Sequence, residues 1–233
     1  LVRERIMNQF EYMAFNRYPD IGTRDLRTLI AENFNLNIQN VQLGNGSSEI
    51  IMNLCQVFGG PGRSIVFPVP SFSMYYVYAQ SSDSDPVPVE LGEDYSVVRD
   101  KVLEAAQKSD AKLIILCNPN NPTGTVTPIE DIEYIVSRAA CPVLVDEAYF
   151  EFYGESAVGL MAKYDNVIIA RTFSKAYGLA AARVGYVLAN PEIIAMLGRV
   201  IKPYHINSLS LVTAEILYQM RDEFMPGLEQ IIS

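Results

Sequence analysis

The sequence predicts an α/β domain, a mainly parallel sheet with helices on both faces. Three observations point there. Apolar runs of strand length alternate with helical-period stretches along the 233 residues. The strand candidates are near-continuously apolar, as strands covered on both faces are. Polar, glycine-bearing clusters follow several of them, where sheets of this kind bind ligands.

The elements follow in order. After "RYPDIG", Leu26, Leu29, Ile30 and Phe34 recur at helical spacing. "NVQLGNGSSEIIMNLCQVF" reads as a short strand, a glycine turn and a helix from about Ser47. "SIVFPVPSF" is a strand ended by prolines, followed by a helix through "SMYYVYAQ". "DPVPVEL" is a proline-limited strand and belongs near an edge. "YSVVRDKVLEAAQKS" is an amphipathic helix, and "AKLIILCNPNNPTG" a buried strand entering an Asn/Pro/Gly loop. Thr127, Pro128 and Glu130 predict a capping box with proline at the first helical position. The strands "CPVLVDEAYF", "NVIIARTFS" and "RVGYVLAN" come next. Asn190-Pro191 opens a helix, and a last helix spans about Asn207 to Glu223.

Composition narrows the chemistry. Apolar residues make up 49% and charged residues 19%, ordinary for a globular core. No apolar run reaches the length of a membrane span, and the start lacks the regions of a signal peptide. It also lacks an initiator Met, so a fragment of a longer protein is expected. A net charge of −9 without a basic block argues against nucleic acid as the main partner. Cys55, Cys117 and Cys141 each sit in an apolar stretch, which predicts buried free thiols and a reducing, cytoplasmic setting. One histidine, His205, excludes His-rich metal sites. No P-loop and no G-x-S-x-G elbow occurs, and "LGNGSSE" has Glu49 where a dinucleotide fingerprint needs its third glycine.

The polar clusters at the strand ends suggest one joint chemistry. Lys175, one of six lysines, follows an apolar strand and has Arg183 eight positions on. Desolvation and a neighbouring cation can favour the neutral amine that attacks a carbonyl. Asp146 ends the strand "PVLVD", where a carboxylate can keep a bound pyridine nitrogen protonated. "NPNNPTG" offers amide donors on a loop restricted by Pro119 and Pro122. "GNGSSE" places N–H groups and the hydroxyls of Ser47 and Ser48 at a helix start, an anion site that Thr172, Ser174 and Arg183 could complete. Phe72 and the tyrosines of "SFSMYYVY" offer an aromatic face. Each group has a plain structural role as its alternative: a loop lysine, a paired acid, a turn, an N-cap, a core aromatic. An aldehyde, a pyridine nitrogen, a phosphate and a flat ring together describe pyridoxal 5′-phosphate.

The chain resembles the fold-type I pyridoxal-phosphate aminotransferases, and within them the histidinol-phosphate aminotransferases. The resemblance rests on "RYPD", "LGNGSSEII", "PSFSMYYVYA", "CNPNNPTG", "VDEAYFEF" and the S-K-x-x-G-x-x-x-x-R-x-G spacing from Ser174 to Gly185. It implies that Lys175 links covalently to the cofactor and shuttles the substrate proton. It implies that Asp146 pairs with the pyridine nitrogen, and that Asn121 and Tyr149 bond the ring oxygen. Phe72 would stack on the ring, at a position where the family usually has tyrosine. Ser47, Ser48, Thr172, Ser174 and Arg183 would hold the phosphate. Tyr18 would reach the phosphate of a partner subunit, which implies a homodimer with shared active sites; its alternative is a turn tyrosine packing on its own chain. Ala181 stands where relatives often have glycine.

Residues 1–233 would then be the cofactor-binding large domain. Residues 1–20 would lead into it, and about 204–233 would begin the connection to a small domain beyond this sequence, which lacks the family's N-terminal arm. The implied reaction moves an amino group between histidinol phosphate and 2-oxoglutarate, in histidine biosynthesis. An aromatic aminotransferase, a threonine-phosphate decarboxylase-like enzyme and a catalytically inert or sensing module remain as alternatives.

Overall fold

Alternation of strand and helix along the chain builds one sheet with two covered faces. The computed structural model describes residues 2–228. Helices α1 (Val2–Glu11) and α2 (Arg24–Asn33) precede β1 (Val41–Gly44) and α3 (Ser47–Phe58). Then come β2 (Ser64–Val69), α4 (Met74–Ser81), β3 (Asp85–Glu90), α5 (Arg99–Lys108) and β4 (Leu113–Cys117). After α6 (Ile129–Arg138) and β5 (Val143–Asp146) follow β6 (Val167–Thr172), β7 (Gly185–Ala189), α7 (Pro191–Leu197), α8 (Ser208–Gln219) and α9 (Arg221–Phe224). The expected connection over 204–233 is described only to Leu228; its last five residues lie outside the described ones.

The strand order is β1-β7-β6-β5-β4-β2-β3. Strands β2 to β6 are parallel, and β7 is antiparallel to both β6 and β1. The proline-bearing β3 lies at an edge, where missing amide donors do least harm. Alternating side chains divide the core. One face packs Leu113, Ile115, Leu144 and Ile168 against α3, α4 and α7. The other packs Ile114, Leu116, Val145 and Ile169 against α2, α5, α6 and α8. Cys55, Cys117 and Cys141 are free and buried, as expected.

Register sets up the site. Cys117 pairs with Asp146, and Gly185 pairs with both Thr172 and Gly44. The carboxyl ends of β1, β4, β5 and β6 therefore meet the start of β7 at one edge of the sheet.

Three local expectations change. Helix α6 begins at Ile129, with Pro128 as N-cap and no side-chain cap, so the capping box at Thr127 does not form. The Thr127 backbone is held instead by the Asn118 amide, which accepts from Thr127 N at 2.8 Å and donates to its carbonyl at 3.2 Å. Helix α5 starts four residues after Tyr95, which takes a left-handed φ of 61° in a turn that binds Gly92 N to the Ser96 carbonyl. The last helix divides at Met220 into α8 and α9. Among the described residues no helix is long and apolar enough to cross a membrane, and no group of three or more His, Cys, Asp or Glu side chains could hold a metal ion.

Candidate active site

A cavity of about 200 Å³ opens at the edge where these strands end. Ser47, Ser48, Phe72, Asn121, Asp146, Tyr149, Thr172, Ser174, Lys175 and Arg183 all line it, joined by Cys117, Ala148 and Ala180. Larger depressions exist. One of about 470 Å³ lies beside α5, lined by Leu103, Ala106, Gln107, Asp110, Arg138 and Cys141, none of them a sequence-predicted site residue. Convergence of chemistry, not size, marks the site.

One end of the cavity can receive an anion. Helix α3 begins after Gly46, which has φ 82° and leaves the first turn without a side-chain cap. Its leading N–H groups are therefore not consumed, and the helix dipole favours negative charge there. The positive φ favours glycine at Gly46, and a Cβ there would stand 2.6 Å from the mobile end of Arg183, at Nη2. Gly185 likewise lets β7 lie against this turn, since a Cβ would collide with Ser47 N. Arg183 holds a left-handed φ of 53°, costly for a residue with a Cβ, and donates from Nη1 to Ser174 Oγ and the Ala180 carbonyl, both at 3.3 Å. Thr172 Oγ1 accepts from Ser174 N at 3.1 Å and shapes the turn that leads to Lys175.

The other end is acidic. Asp146 is 3% exposed. Its Oδ2 accepts from the Tyr75 hydroxyl at 2.7 Å, and its Oδ1 from Ala148 N at 3.2 Å. Burial pushes its carboxyl up to about 6, with the Tyr75 and Ala148 hydrogen bonds and the Lys175 charge opposing that rise. Burial also raises the Cys117 thiol to about 12, so it stays neutral beside the carboxylate.

Between the ends stand Lys175, Tyr149, Asn121 and Phe72. Lys175 Nζ lies 5.0 Å from the centre of the Tyr149 ring. Lys175 is exposed at the cavity. The "NPNNPTG" loop divides its labour. Asn118 and Asn120 are buried and pin the loop, Asn120 donating to the Pro70 carbonyl at 3.0 Å and accepting from Ser71 Oγ at 2.7 Å. Asn121 is left to the cavity.

Tyr18 is the one candidate outside this cavity. It is 79% exposed and stacks on Tyr204, ring centres 4.4 Å apart. The Tyr75 hydroxyl bond has no counterpart among the sequence expectations. Helical spacing puts the tyrosines of α4 in the core, which is where the Tyr75 ring lies.

The family model "Aminotransferase class I and II" matches residues 2–226. The histidinol-phosphate aminotransferase of Caldanaerobacter subterraneus subsp. tengcongensis is 44% identical over 195 residues, covering 84% of this chain and 56% of that protein. That of Clostridium novyi is 35% identical over 231 residues, 99% of this chain and 65% of that one. The chain thus spans less than two thirds of the length of these relatives. The crystal structure of histidinol-phosphate aminotransferase from Sinorhizobium meliloti in complex with pyridoxal-5′-phosphate superposes with a TM-score of 0.90 at 23% identity, over 97% of this chain and 62% of that one, which supports the fold. On the family match and these identities, the chain belongs to the class I and II aminotransferases.

Proposed function

We propose that this chain binds pyridoxal 5′-phosphate and serves as the cofactor-binding large domain of a histidinol-phosphate:2-oxoglutarate aminotransferase. The observation that carries the reading is the convergence of Lys175, Asp146 and Arg183 on one cavity at one sheet edge. The donor set fits the group. A glycine turn at a helix start beside the Arg183 guanidinium lies at one end, and a buried carboxylate with free lone pairs at the other.

When bound, the cofactor supplies an electron-accepting ring that stabilises negative charge on a substrate carbon. The chain does the rest. Arg183, Ser174, Thr172 and the first turn of α3 hold the phosphate. Asp146 accepts the pyridine N–H, and Phe72 offers a ring face. Asn121 and Tyr149 donate to the ring oxygen. Lys175 would supply the amine that links the cofactor to the chain and, once the substrate amine has displaced it, would take and return the substrate proton at the freed Nζ.

A second copy of the chain is part of the reading, with Tyr18 contributing to the partner's site. Tyr12, Phe15, Tyr18 and Ile21 are all exposed in one short segment, an apolar surface suited to a like subunit. The reduced state of the three thiols fits a cytoplasmic enzyme. The test is glutamate formation from histidinol phosphate and 2-oxoglutarate by the full-length protein loaded with cofactor. Turnover at a rate well above that with tyrosine or phenylalanine supports the substrate. Faster turnover of the aromatic amino acids, or release of carbon dioxide from threonine phosphate, overturns it.

A further inference from the structure

Asp146 is oriented by a residue outside the cavity. The Tyr75 ring has no solvent exposure. It stands edge-on to Phe72 at 5.5 Å and to Phe67 at 6.2 Å, so the aromatic residue lining the cavity also packs the tyrosine behind it. Its hydroxyl is 2.7 Å from Asp146 Oδ2, the single side-chain hydrogen bond that this carboxylate receives among the described residues. The other bond, from Ala148 N, is longer and comes from the turn just after β5. One donor on each oxygen leaves one lone-pair direction per oxygen open.

We infer that Tyr75 is a positioning residue for this site: its hydroxyl fixes the carboxylate plane of Asp146, keeps it charged, and turns its open lone pairs to the cavity. The inference rests on the cofactor reading proposed above.

The surroundings support this. The titratable groups that face Asp146 are Tyr75 on α4, Cys117 on β4 and Lys175 on the loop after β6, while Glu147, next in the chain, lies on the opposite face of the sheet. Glu147 and desolvation disfavour the carboxylate, and Lys175 favours it from an exposed position. Cys117 is neutral and lies against the Tyr75 hydroxyl. Burial, then the Asp146 charge, hold the Tyr75 phenol well above its ordinary range, so it remains a donor. Removing that hydroxyl leaves a buried carboxylate short of its strongest hydrogen bond. Its proton affinity rises, and the neutral acid holds a pyridinium N–H poorly.

The experiment is equilibrium binding of pyridoxal phosphate, followed by absorbance from pH 5 to 9, for wild type, Tyr75→Phe, Asp146→Asn and the double variant. Phenylalanine keeps the ring and its packing. Tyr75→Phe is expected to bind about tenfold more weakly at pH 7, the loss of one hydrogen bond to a charged group. Its half-loss of binding should move upward by about one pH unit. In the Asp146→Asn background the same substitution should change binding by less than about twofold. Tyr76→Phe, which removes an exposed hydroxyl from the same helix, should match wild type. Wild-type binding and pH profile in Tyr75→Phe would overturn the inference, and so would an undiminished loss in the Asp146→Asn background. No binding by wild type would sink the cofactor reading itself, and this inference with it.

Discussion

Asp146 and Glu147 are adjacent, both buried, and opposite in fate. Glu147, 1% exposed, lies on the far side of the sheet from the cavity. It accepts from Arg171 Nε at 2.9 Å, from Ser156 Oγ at 2.8 Å and from Ala157 N at 2.7 Å. Arg171 is in turn covered by the Phe150 ring, 3.6 Å from its guanidinium carbon to the ring centre. That carboxylate is closed. Asp146, one residue earlier, receives a phenol and one amide and opens on a cavity. Two equally buried acids therefore differ in how many donors they receive and in the direction left open, because strand alternation sends neighbours to opposite faces.

The contrast can be broken at either acid. Glu147→Ala leaves the Arg171 guanidinium buried without its partner, and unfolding free energy should fall by about 3–5 kcal/mol in urea titrations. A loss under about 1 kcal/mol would mean that the closed network is not structural.

Asp146→Asn should act in the reverse sense. The folded carboxyl sits at about 6, above its unfolded value, so the folded state takes up its proton first as the pH falls. The burial penalty is therefore absent below about pH 4 and complete above about pH 6. Ionising a carboxyl held at about 6 instead of about 4 costs the folded state up to about 3 kcal/mol. The asparagine variant escapes that cost. Without cofactor it should be more stable than wild type by up to about 3 kcal/mol at pH 7, and no more stable near pH 4. Equal stabilities at both pH values would contradict this.

Lys163→Ala calibrates the scale. Its 3.0 Å ion pair with Glu133 is solvent-exposed, and its removal should leave the urea midpoint unchanged in the same titrations.

Much of this is legible in the sequence, for physical reasons. Apolar runs bounded by Gly, Pro and Asn place all seven strands, and the prolines of β3 place it at an edge. Spacing from Ser174 to Gly185 and the glycine turn before Ser47 bring Ser174, Arg183 and Ser47 to one cavity. Direction is not legible in β7, because a continuously apolar strand reads the same whichever way it runs. The twelve residues between β6 and β7 hold the Lys175 loop rather than a crossover helix, and the strand returns antiparallel. The Thr127 capping box fails because Asn118, nine residues away, claims that backbone. Tyr75 is hidden for another reason. Periodicity can bury a tyrosine ring, but which acid its hydroxyl meets depends on register between α4 and β5.

The reading of Lys175 and the groups around it as a pyridoxal-phosphate site is tested by the near-visible absorption spectrum of the full-length protein with added cofactor, wild type against Lys175→Ala. Wild type is expected to show a band from the covalent lysine link that borohydride fixes to the protein, and the variant no such fixed band. A fixed band that survives in Lys175→Ala, or its absence from both proteins, would contradict it.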